Sequence, residues 1–591
     1  MLVSTVDCES VSRRLDSYSS RGRAERYTPQ LHARVTTGMK VTAYGVFAGV
    51  IVATLFSKQI STAFCEIRFD AALLLQSART SLPTFRRGTA VLLIMLAGLA
   101  LRLRYISTPI RYDEAETYLS AVVPPWFVTI SSYYAPNNHI LYSLLAKLSC
   151  TFFGGAPWAL RLPALFAGMA LIPATYITTC VLAGTDVCAR LRHQAAILAT
   201  LLVAGSAPMT EHSVNARGYS LVGLFWMISV LLATYCQRTN NLAAWIALSI
   251  TFACGLWTIP TMLFAIMGIN VWMFLSKLAP KAGQKCTMTW KRLIACNAVA
   301  GAVTIALYMP VFVLDGPAHL FGNRWVTPQP LSVVIDRQFT VISAVWRVSQ
   351  TGIPQELSWL LAGAAAIGII SFGRCGAPRF PIWIVGGLVI LGMALVQRVV
   401  PLARVFLFVL PTYFAEVALV LVTLGSRVRR SDERKSSEAM RQVANSRRMI
   451  FQCLNFVLFF AATVWIAAFA RWDEFVIDPD QTGDADQVAS YLQPRIRQSD
   501  LVVSSVPINA PLEYYFLRMG LPRTALVRHQ PLPVNSRRIF VVVHPGKAQT
   551  VQAVLQTEMP KGRLPPLASF ERIADFPSAT IYGSDERTES E

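Results

Sequence analysis

The chain has 591 residues, of which 54% are hydrophobic and 15% are charged, whereas soluble domains carry about 25% charged residues. This composition excludes a purely soluble protein and predicts a membrane block followed by a polar tail. The formal net charge of +21 does not predict a nucleic-acid partner, because the basic residues cluster in short loops between apolar runs, as in membrane proteins.

Residues 1–86 are predicted to form an N-terminal extension. Within them, Val41–Ser57 is an uncharged run of membrane-spanning length. It fits an extra membrane helix, a signal-like segment or part of an over-long start, and the Arg-rich flanks on both sides leave these three alternatives open.

Residues 87–470 are predicted to form the membrane block, because apolar runs near the 20 or so residues of a spanning helix recur along them. The longest run, Thr239–Ser276, is predicted to split at Pro260. The first run is short, and Arg102 and Arg104 are predicted to extend it by snorkelling to the interface. With the long run counted as two, the runs give eleven predicted spans: Gly88–Leu101, Leu162–Thr185, Gln194–Thr210, Gly218–Gln237, Thr239–Ser276, Leu293–Leu314, Leu357–Gly373, Phe380–Gln397, Val405–Gly425 and Met449–Ala470.

The orientation of these spans is predicted from the basic residues of the connecting loops. Alternate loops are rich in Lys and Arg, and Lys277–Arg292, with five basic residues and no acid, is predicted to lie inside. The loops predicted to lie outside are Leu103–Gly155, Glu211–Arg217, Asp315–Glu356 and Arg398–Arg404. This orientation requires Asn138–Phe153 to lie along the interface as an amphipathic helix, and it leaves the C-terminal tail outside.

The tail, residues 471–591, is predicted to be a small α/β domain. Asp484–Arg497 and Lys547–Glu558 have helical patterns, and Asp500–Ser505 and Arg538–His544 read as strands. The tail contains no glycine-rich phosphate-binding motif, so the sequence gives no reason to expect a nucleotide there.

Three carboxylates stand directly after the first span, in the segment RYDEAETYLS: Asp113, Glu114 and Glu116. One carboxylate can take a proton from an attacking hydroxyl, and adjacent carboxylates can help to bind a divalent metal. An acidic helix start is an equally simple interpretation. Further along the same loop, His139 is a candidate metal ligand or hydrogen-bond partner, or simply a packed side chain.

The second outer loop, EHSVNARGYSL, places Arg217 at the lip of a span with Tyr219 two residues later. The guanidinium group offers a rigid fork of donors that matches phosphate oxygens. An interface anchor is the alternative interpretation. Glu211 and His212 are candidates for the same polar site.

Arg404 enters an apolar helix from a short outer loop, as Arg217 does, and is a second candidate for binding an anionic headgroup. Glu416 lies within the same helix, which makes it either a functional residue or a residue paired inside the bundle. Glu416 and Pro260 favour a secondary transporter as an alternative function, because transporters place polar and broken helices near mid-membrane. The other polar residues gather at outer helix ends, which favours an enzyme, and a non-catalytic scaffold ranks third.

Together these segments resemble the GT-C superfamily of polytopic membrane glycosyltransferases, in particular the bacterial branch related to protein O-mannosyltransferases, the aminoarabinose transferase of lipid A and the lipopolysaccharide galacturonosyltransferases. The resemblance covers roughly Gly88–Pro411 and rests on LRLRYISTPIRYDEAETY, NNHILYSLL, GGAPWALRLPALFAG, SAPMTEHSVNARGYSL and RVFLFVLP. It implies a GT-C fold in a bacterial inner membrane, with interfacial helices in the first outer loop and an outer C-terminal domain.

The resemblance also implies an inverting transfer of a sugar from a polyprenyl-phosphate donor to an acceptor hydroxyl or amine on a glycolipid, polysaccharide or protein. In the family the aspartate of the acidic pair is the base, which corresponds to Asp113. Glu114 would support the acceptor, a metal or the loop geometry. The leaving phosphate needs positive charge, for which Arg217 and Arg404 are the candidates, with His139 and Tyr219 as further substrate-binding residues.

One departure from the family concerns the metal. Many relatives carry an acidic residue where this chain has Asn215. Glu211 lies one helical turn upstream and is the nearest substitute. Both residues are therefore predicted to belong to the substrate site, and no metal ligand is assigned.

Overall fold

The structure, a computed structural model, describes residues 29–433 and 484–584, apart from gaps at 56, 82–84, 134–137, 184–186, 281–285, 318–319, 321, 323–326, 372, 375–377, 498, 528–537 and 560–566. The predicted last span, Met449–Ala470, lies outside the described residues.

The membrane block is built from helices. In chain order they are α1 (Pro29–Leu55), α2 (Ser57–Ser81), α3 (Phe85–Tyr105), α4 (Tyr112–Thr117), a π-turn (Tyr118–Val122), α5 (Trp126–Ser131), α6 (Ile140–Phe153), α7 (Pro157–Ala183), α8 (Ala189–Gly205), α9 (Ala207–Ser213), α10 (Tyr219–Thr239), α11 (Leu242–Thr258), α12 (Met262–Leu278), α13 (Trp290–Leu314), α14 (Leu331–Gln350), α15 (Gln355–Ile370), α16 (Ile382–Gln397), a 3-10 segment (Ala403–Val409) and α17 (Leu410–Glu433).

Five stretches of the described residues are helical, long and apolar enough to cross a membrane: Arg87–Tyr105, Pro157–Ala183, Tyr219–Thr239, Trp290–Leu314 and Ala403–Ser426. Helices α14 and α15 meet at a bend of 118° and count as a sixth if they form one broken span. Helices α6, α11, α12 and α16 are apolar but shorter, and α11 and α12 are separated at Pro260 as predicted. The block is therefore polytopic, and the total of eleven spans stays a prediction.

The N-terminal helices pack against this block. Helix α1 contains most of the predicted run 41–57 and lies beside α13, where Gly38 faces Val313. Helix α2 packs against α11. The Asp70 carboxylate accepts a hydrogen bond from the Leu242 amide at 2.6 Å, which supplies a partner for one of the unpaired amides at the start of α11.

Arg102 does not snorkel, so that prediction is wrong. Its side chain is fully buried, and Nη1 donates to the carbonyl oxygens of Gly98 and Ala204, both at 3.0 Å. The C-terminal end of α8 supplies the second carbonyl. Arg104, two residues later on α3, is exposed.

The loops predicted to share a side of the membrane meet at the same end of the helical block. At one end, the Tyr133 amide donates to the carboxylate of Asp315, which joins the first and third predicted outer loops. At the other end, Arg379 donates to the carbonyl of Pro280 at 3.3 Å, which joins two predicted inner loops. These two contacts are compatible with the alternation predicted from the basic residues, and the orientation stays a prediction.

Helix α6 lies along one face of the block. Its 14 residues span about 21 Å, less than the roughly 30 Å of a hydrocarbon core. His139, just before the helix, contacts Gly218, and Gly155, just after it, accepts a hydrogen bond from Tyr514 of the tail. One end of α6 thus lies beside the second predicted outer loop and the other beside the tail, which is compatible with the interfacial interpretation.

The described tail forms a mixed sheet with helices on both faces. Its elements are α18 (Ala485–Leu492), β1 (Leu501–Ser504), α19 (Asn509–Met519), β2 (Ile539–Val543), α20 (Val551–Glu558), β3 (Phe570–Asp575) and β4 (Thr580–Ser584). The strand order is β1-β2-β4-β3, with β1 parallel to β2 and the other pairs antiparallel. Alternate residues of β1 and β2 pack towards α19 and the membrane block on one face and towards α20 on the other.

Candidate active site

Asp113 lies between two arginines. It is the second residue of α4, and its side chain is 25% exposed. Its Oδ2 atom is 3.7 Å from Nη1 of Arg217 and 3.8 Å from Nη1 of Arg404. These distances make ion pairs, but they exceed the length of a hydrogen bond. The structure thus brings together three residues from three separate predicted outer loops.

Glu114, the next residue, is fully buried and saturated with donors. Nε and Nη2 of Arg161 lie 2.8 and 2.6 Å from its two oxygens, and the amides of Arg111 and Ala216 donate at 2.9 and 2.6 Å. Burial alone would raise the pKa of Glu114, but the charge and hydrogen bonds of Arg161, together with Arg111, hold it below its ordinary value. Because Glu114 ties the first outer loop to the second, its contacts favour the loop-geometry role among those predicted.

Sequence reasoning missed Arg161, the partner of Glu114. The predicted span began one residue later, at Leu162, although α7 begins at Pro157. Arg161 is fully buried and also donates to the carbonyl oxygen of Thr108 at 2.8 Å. The available signal was a single charged residue at the start of a long apolar run, which marks a buried partner of opposite charge.

His139 is a neutral donor beside Arg217. Its Nδ1 accepts from the Gly218 amide at 2.9 Å, so the proton of the neutral ring is on Nε2. Burial, and then the charges of Arg217 and Arg404, keep the pKa of His139 well below its ordinary value. Gly218 is required here, since a Cβ would lie 2.5 Å from the side chain of Thr258.

Tyr219 opens α10 at the centre of the cluster. Its ring centroid is 5.5 Å from that of His139 and 5.0 Å from that of His212. The guanidinium carbons of Arg217 and Arg404 lie 6.0 and 5.8 Å from the same centroid, within reach of a cation–π interaction. Tyr219 therefore helps to hold both arginines near Asp113.

No protein-family model matches the sequence, and no curated protein sequence matches it. The structure is similar to that of ArnT from Cupriavidus metallidurans in the apo state, with a TM-score of 0.53 and 11% identity over 83% of this chain and 97% of ArnT. ArnT bound to undecaprenyl phosphate matches with a TM-score of 0.52 and 12% identity over the same shares. The chain has the GT-C fold. At this identity the likeness establishes the fold, and the chemistry is argued from the residues.

Within this GT-C fold, the residues around Asp113 do not form a set suited to a divalent cation. The Glu211 carboxylate accepts from Nη1 of Arg111 at 2.8 Å, and Glu114 is occupied by Arg161. The carbonyl of Asn215 accepts from the Arg217 amide at 2.6 Å, while its own side chain is nearly buried. The part of the chain that the structure describes contains no group of three His, Cys, Asp or Glu side chains that could hold a metal. The carboxylates of Glu114 and Glu211 are therefore committed to arginines.

Tyr133 is a second site residue that the sequence did not reveal. It is almost fully buried, and its ring centroid lies 6.2 Å from that of Tyr308 on α13. Burial raises the pKa of the Tyr133 phenol, and the charge of Arg217 opposes this shift. A tyrosine in an outer loop has no distinctive spacing, so sequence patterns alone do not single it out.

Glu416 belongs to a different part of the GT-C bundle. It is buried in α17, and its Oε1 accepts a hydrogen bond from the Ile382 amide, the first of α16, at 2.9 Å. The first amides of a helix have no acceptor within that helix, and Glu416 supplies one for Ile382 inside the bundle. Of the two interpretations of Glu416, the contact favours a residue paired within the bundle.

Proposed function

We propose that the protein is an inverting glycosyltransferase, which moves a sugar from a polyprenyl-phosphate-sugar donor to an acceptor hydroxyl or amine at the outer face of the membrane. The observation that carries the proposal is the placement of the Asp113 carboxylate between Arg217 and Arg404, with the neutral His139 beside them. The similarity in fold to ArnT, which has been solved bound to undecaprenyl phosphate, supports a lipid-phosphate ligand.

Asp113 is the proposed general base. The side chain is 25% exposed, which lets an acceptor reach the carboxylate. The carboxylate takes the proton of the acceptor hydroxyl or amine while the acceptor oxygen or nitrogen forms a bond to the anomeric carbon. The bond from that carbon to the phosphate oxygen breaks on the opposite side, so the configuration inverts and the electron pair leaves with the phosphate.

Arg217, Arg404 and His139 are the proposed phosphate-binding residues. Nε2 of His139 carries a proton and lies 3.3 Å from Nη2 of Arg217, which is also a donor. Two donors this close do not bond to each other, and a phosphate oxygen placed beside them would accept from both. These donors would stabilise the negative charge that collects on the leaving phosphate.

The partners and location follow from the same proposal. The donor is a lipid, so it would approach the cluster from the bilayer, and the acceptor would be a glycan, lipid or protein on the outer side. The resemblance implies the cell membrane of a bacterium, and the loop charges favour a C-terminal unit that faces outward.

The test is turnover of defined donors by the purified full-length protein in lipid nanodiscs. A panel of polyprenyl-phosphate sugars is incubated with hydroxyl and amine acceptors, and the release of polyprenyl phosphate and the anomeric configuration of the product are measured. We expect release with one class of sugar and an inverted product. Absence of release across the panel, combined with uptake of a solute into sealed vesicles, would instead favour the transporter.

A further inference from the structure

The C-terminal unit contacts both ends of the short helix that carries Asp113. Before α4, the Ile110 amide donates to the hydroxyl oxygen of Tyr515 at 3.1 Å. After α4, the ring of Tyr118 packs edge-on against Tyr514, with the centroids 4.9 Å apart. Tyr514 and Tyr515 are neighbours on α19, so one turn of the tail helix brackets the segment from 110 to 118.

A third contact joins the same turn to the start of α7. The Tyr514 hydroxyl donates to the Gly155 carbonyl at 2.6 Å. Tyr118 packs so closely on Gly155 that a Cβ there would overlap the Tyr118 hydroxyl oxygen, so only glycine allows this packing. The tail, the π-turn after α4 and the segment before α7 therefore meet at one point.

These polar contacts surround a shared hydrophobic core. The side chains of Ile110, Ala115 and Leu119 from the first outer loop form one buried cluster with Leu512 and Phe516 of α19. Helix α4 has only six residues, too few to be stable in isolation. Packing against neighbouring segments, the tail among them, therefore determines where Asp113 is placed.

We propose that Tyr515 and Tyr514 are positioning residues, through which the C-terminal unit holds Asp113 at its place between Arg217 and Arg404. The proposal rests on the function proposed above. The two arginines belong to other segments, the loop before α10 and the 3-10 segment before α17. Loosening the tail contact therefore displaces the base without displacing the phosphate-binding residues, and it lowers kcat while leaving the KM for the donor unchanged.

The first test is kinetic. Tyr515→Phe removes only the hydroxyl that receives the Ile110 amide, and Tyr582→Phe makes the same change on the opposite face of the sheet. In the full-length protein, we expect Tyr515→Phe to lower kcat about tenfold, since small displacements of a reacting group are costly, with KM for the donor and the melting temperature unchanged. Tyr582→Phe is expected to match the wild type. An unchanged kcat in Tyr515→Phe, or a rise in KM alone, would overturn the proposal.

The second test does not depend on activity. Hydrogen–deuterium exchange of residues 106–122 is compared among the wild type, Tyr515→Phe and Tyr582→Phe in nanodiscs. We expect faster exchange only in Tyr515→Phe, because the Ile110 amide loses its acceptor. Equal exchange in all three proteins rejects the positioning role. If the wild type transfers no sugar, the proposed function fails, yet the exchange result still decides whether the tail holds this segment.

Discussion

Asp113 and Glu114 are adjacent carboxylates with opposite surroundings. Glu114 is fully buried with four hydrogen-bond donors between 2.6 and 2.9 Å, whereas Asp113 is 25% exposed with two arginine nitrogens at 3.7 and 3.8 Å. The difference arises because successive residues of a helix point about 100° apart, so one side chain enters the protein and the other stays partly exposed.

The comparison separates a carboxylate that joins two loops from the one that we propose as the base. The oxygens of Glu114 accept from Arg161 and two amides, so the carboxylate is committed to holding loops together. The carboxylate of Asp113 is 25% exposed and lies within ion-pair distance of two arginines, which is why we propose it as the base.

The largest expected effect is at Asp113, the more exposed of the two carboxylates. Asp113→Asn should lower sugar transfer about 10³-fold, because the amide cannot take the proton of the acceptor. The melting temperature should stay unchanged, since the side chain is partly exposed. Asp575→Asn, at an exposed carboxylate of β3, is the matched control and should keep full activity. An active Asp113→Asn protein would refute the base assignment.

At the buried carboxylate, Glu114→Gln should destabilise the protein by about 3 kcal/mol, because it leaves Arg161 buried without its counter-charge. Denaturant unfolding of the purified protein measures this loss. Adding Arg161→Gln should recover part of the stability, which a double-mutant cycle quantifies. If Glu114→Gln were as stable as the wild type but inactive, Glu114 would belong with Asp113 as a chemical residue.

The pH dependence of stability sharpens the same test. The pKa of Glu114 is lowered by folding, so the unfolded state binds its proton more readily. The stability that this group contributes is therefore present above its unfolded pKa of about 4.5 and is lost as the pH falls through the lower folded value. Wild-type unfolding should become easier below about pH 4.5, and Glu114→Gln should show a shallower slope in that range.

A smaller effect is expected at the arginines. Arg217→Lys keeps the charge but loses the planar fork of donors, so affinity for polyprenyl phosphate should fall about tenfold. Arg404→Lys should have less effect, since the Arg404 side chain is 35% exposed and Arg217 only 4%. Titration of the nanodisc-bound protein with polyprenyl phosphate measures both. Equal affinity in Arg217→Lys and the wild type would remove Arg217 from the phosphate site.

The smallest effect is expected far from this pair. Glu416→Gln keeps an oxygen that can accept from the Ile382 amide, so sugar transfer should change less than about twofold. The same nanodisc assay checks it. Loss of sugar transfer, or loss of solute uptake in sealed vesicles, would show that the bundle interior takes part in the function. Either result would favour the transporter as the alternative function.

Several properties of this protein were determined by the sequence itself. Apolar runs predicted a polytopic helical protein, and the resemblance of ordered motifs to a known superfamily implied the GT-C fold. The alternation of basic loops predicted that Asp113, Arg217 and Arg404 lie on one side. The predictions made from apolar runs and loop charges succeed because hydrophobicity and charge report how each local segment is solvated.

Only the tertiary structure decided which charges are paired and what holds them in place. Glu114 and Arg161 are 47 residues apart, and Ile110 and Tyr515 are 405 residues apart. The burial of Arg102 and the docking of α19 on the Asp113 loop depend likewise on helices that meet in space. Local patterns carry no record of these contacts, because a buried ion pair or a shared core is a property of two packed segments rather than of either sequence.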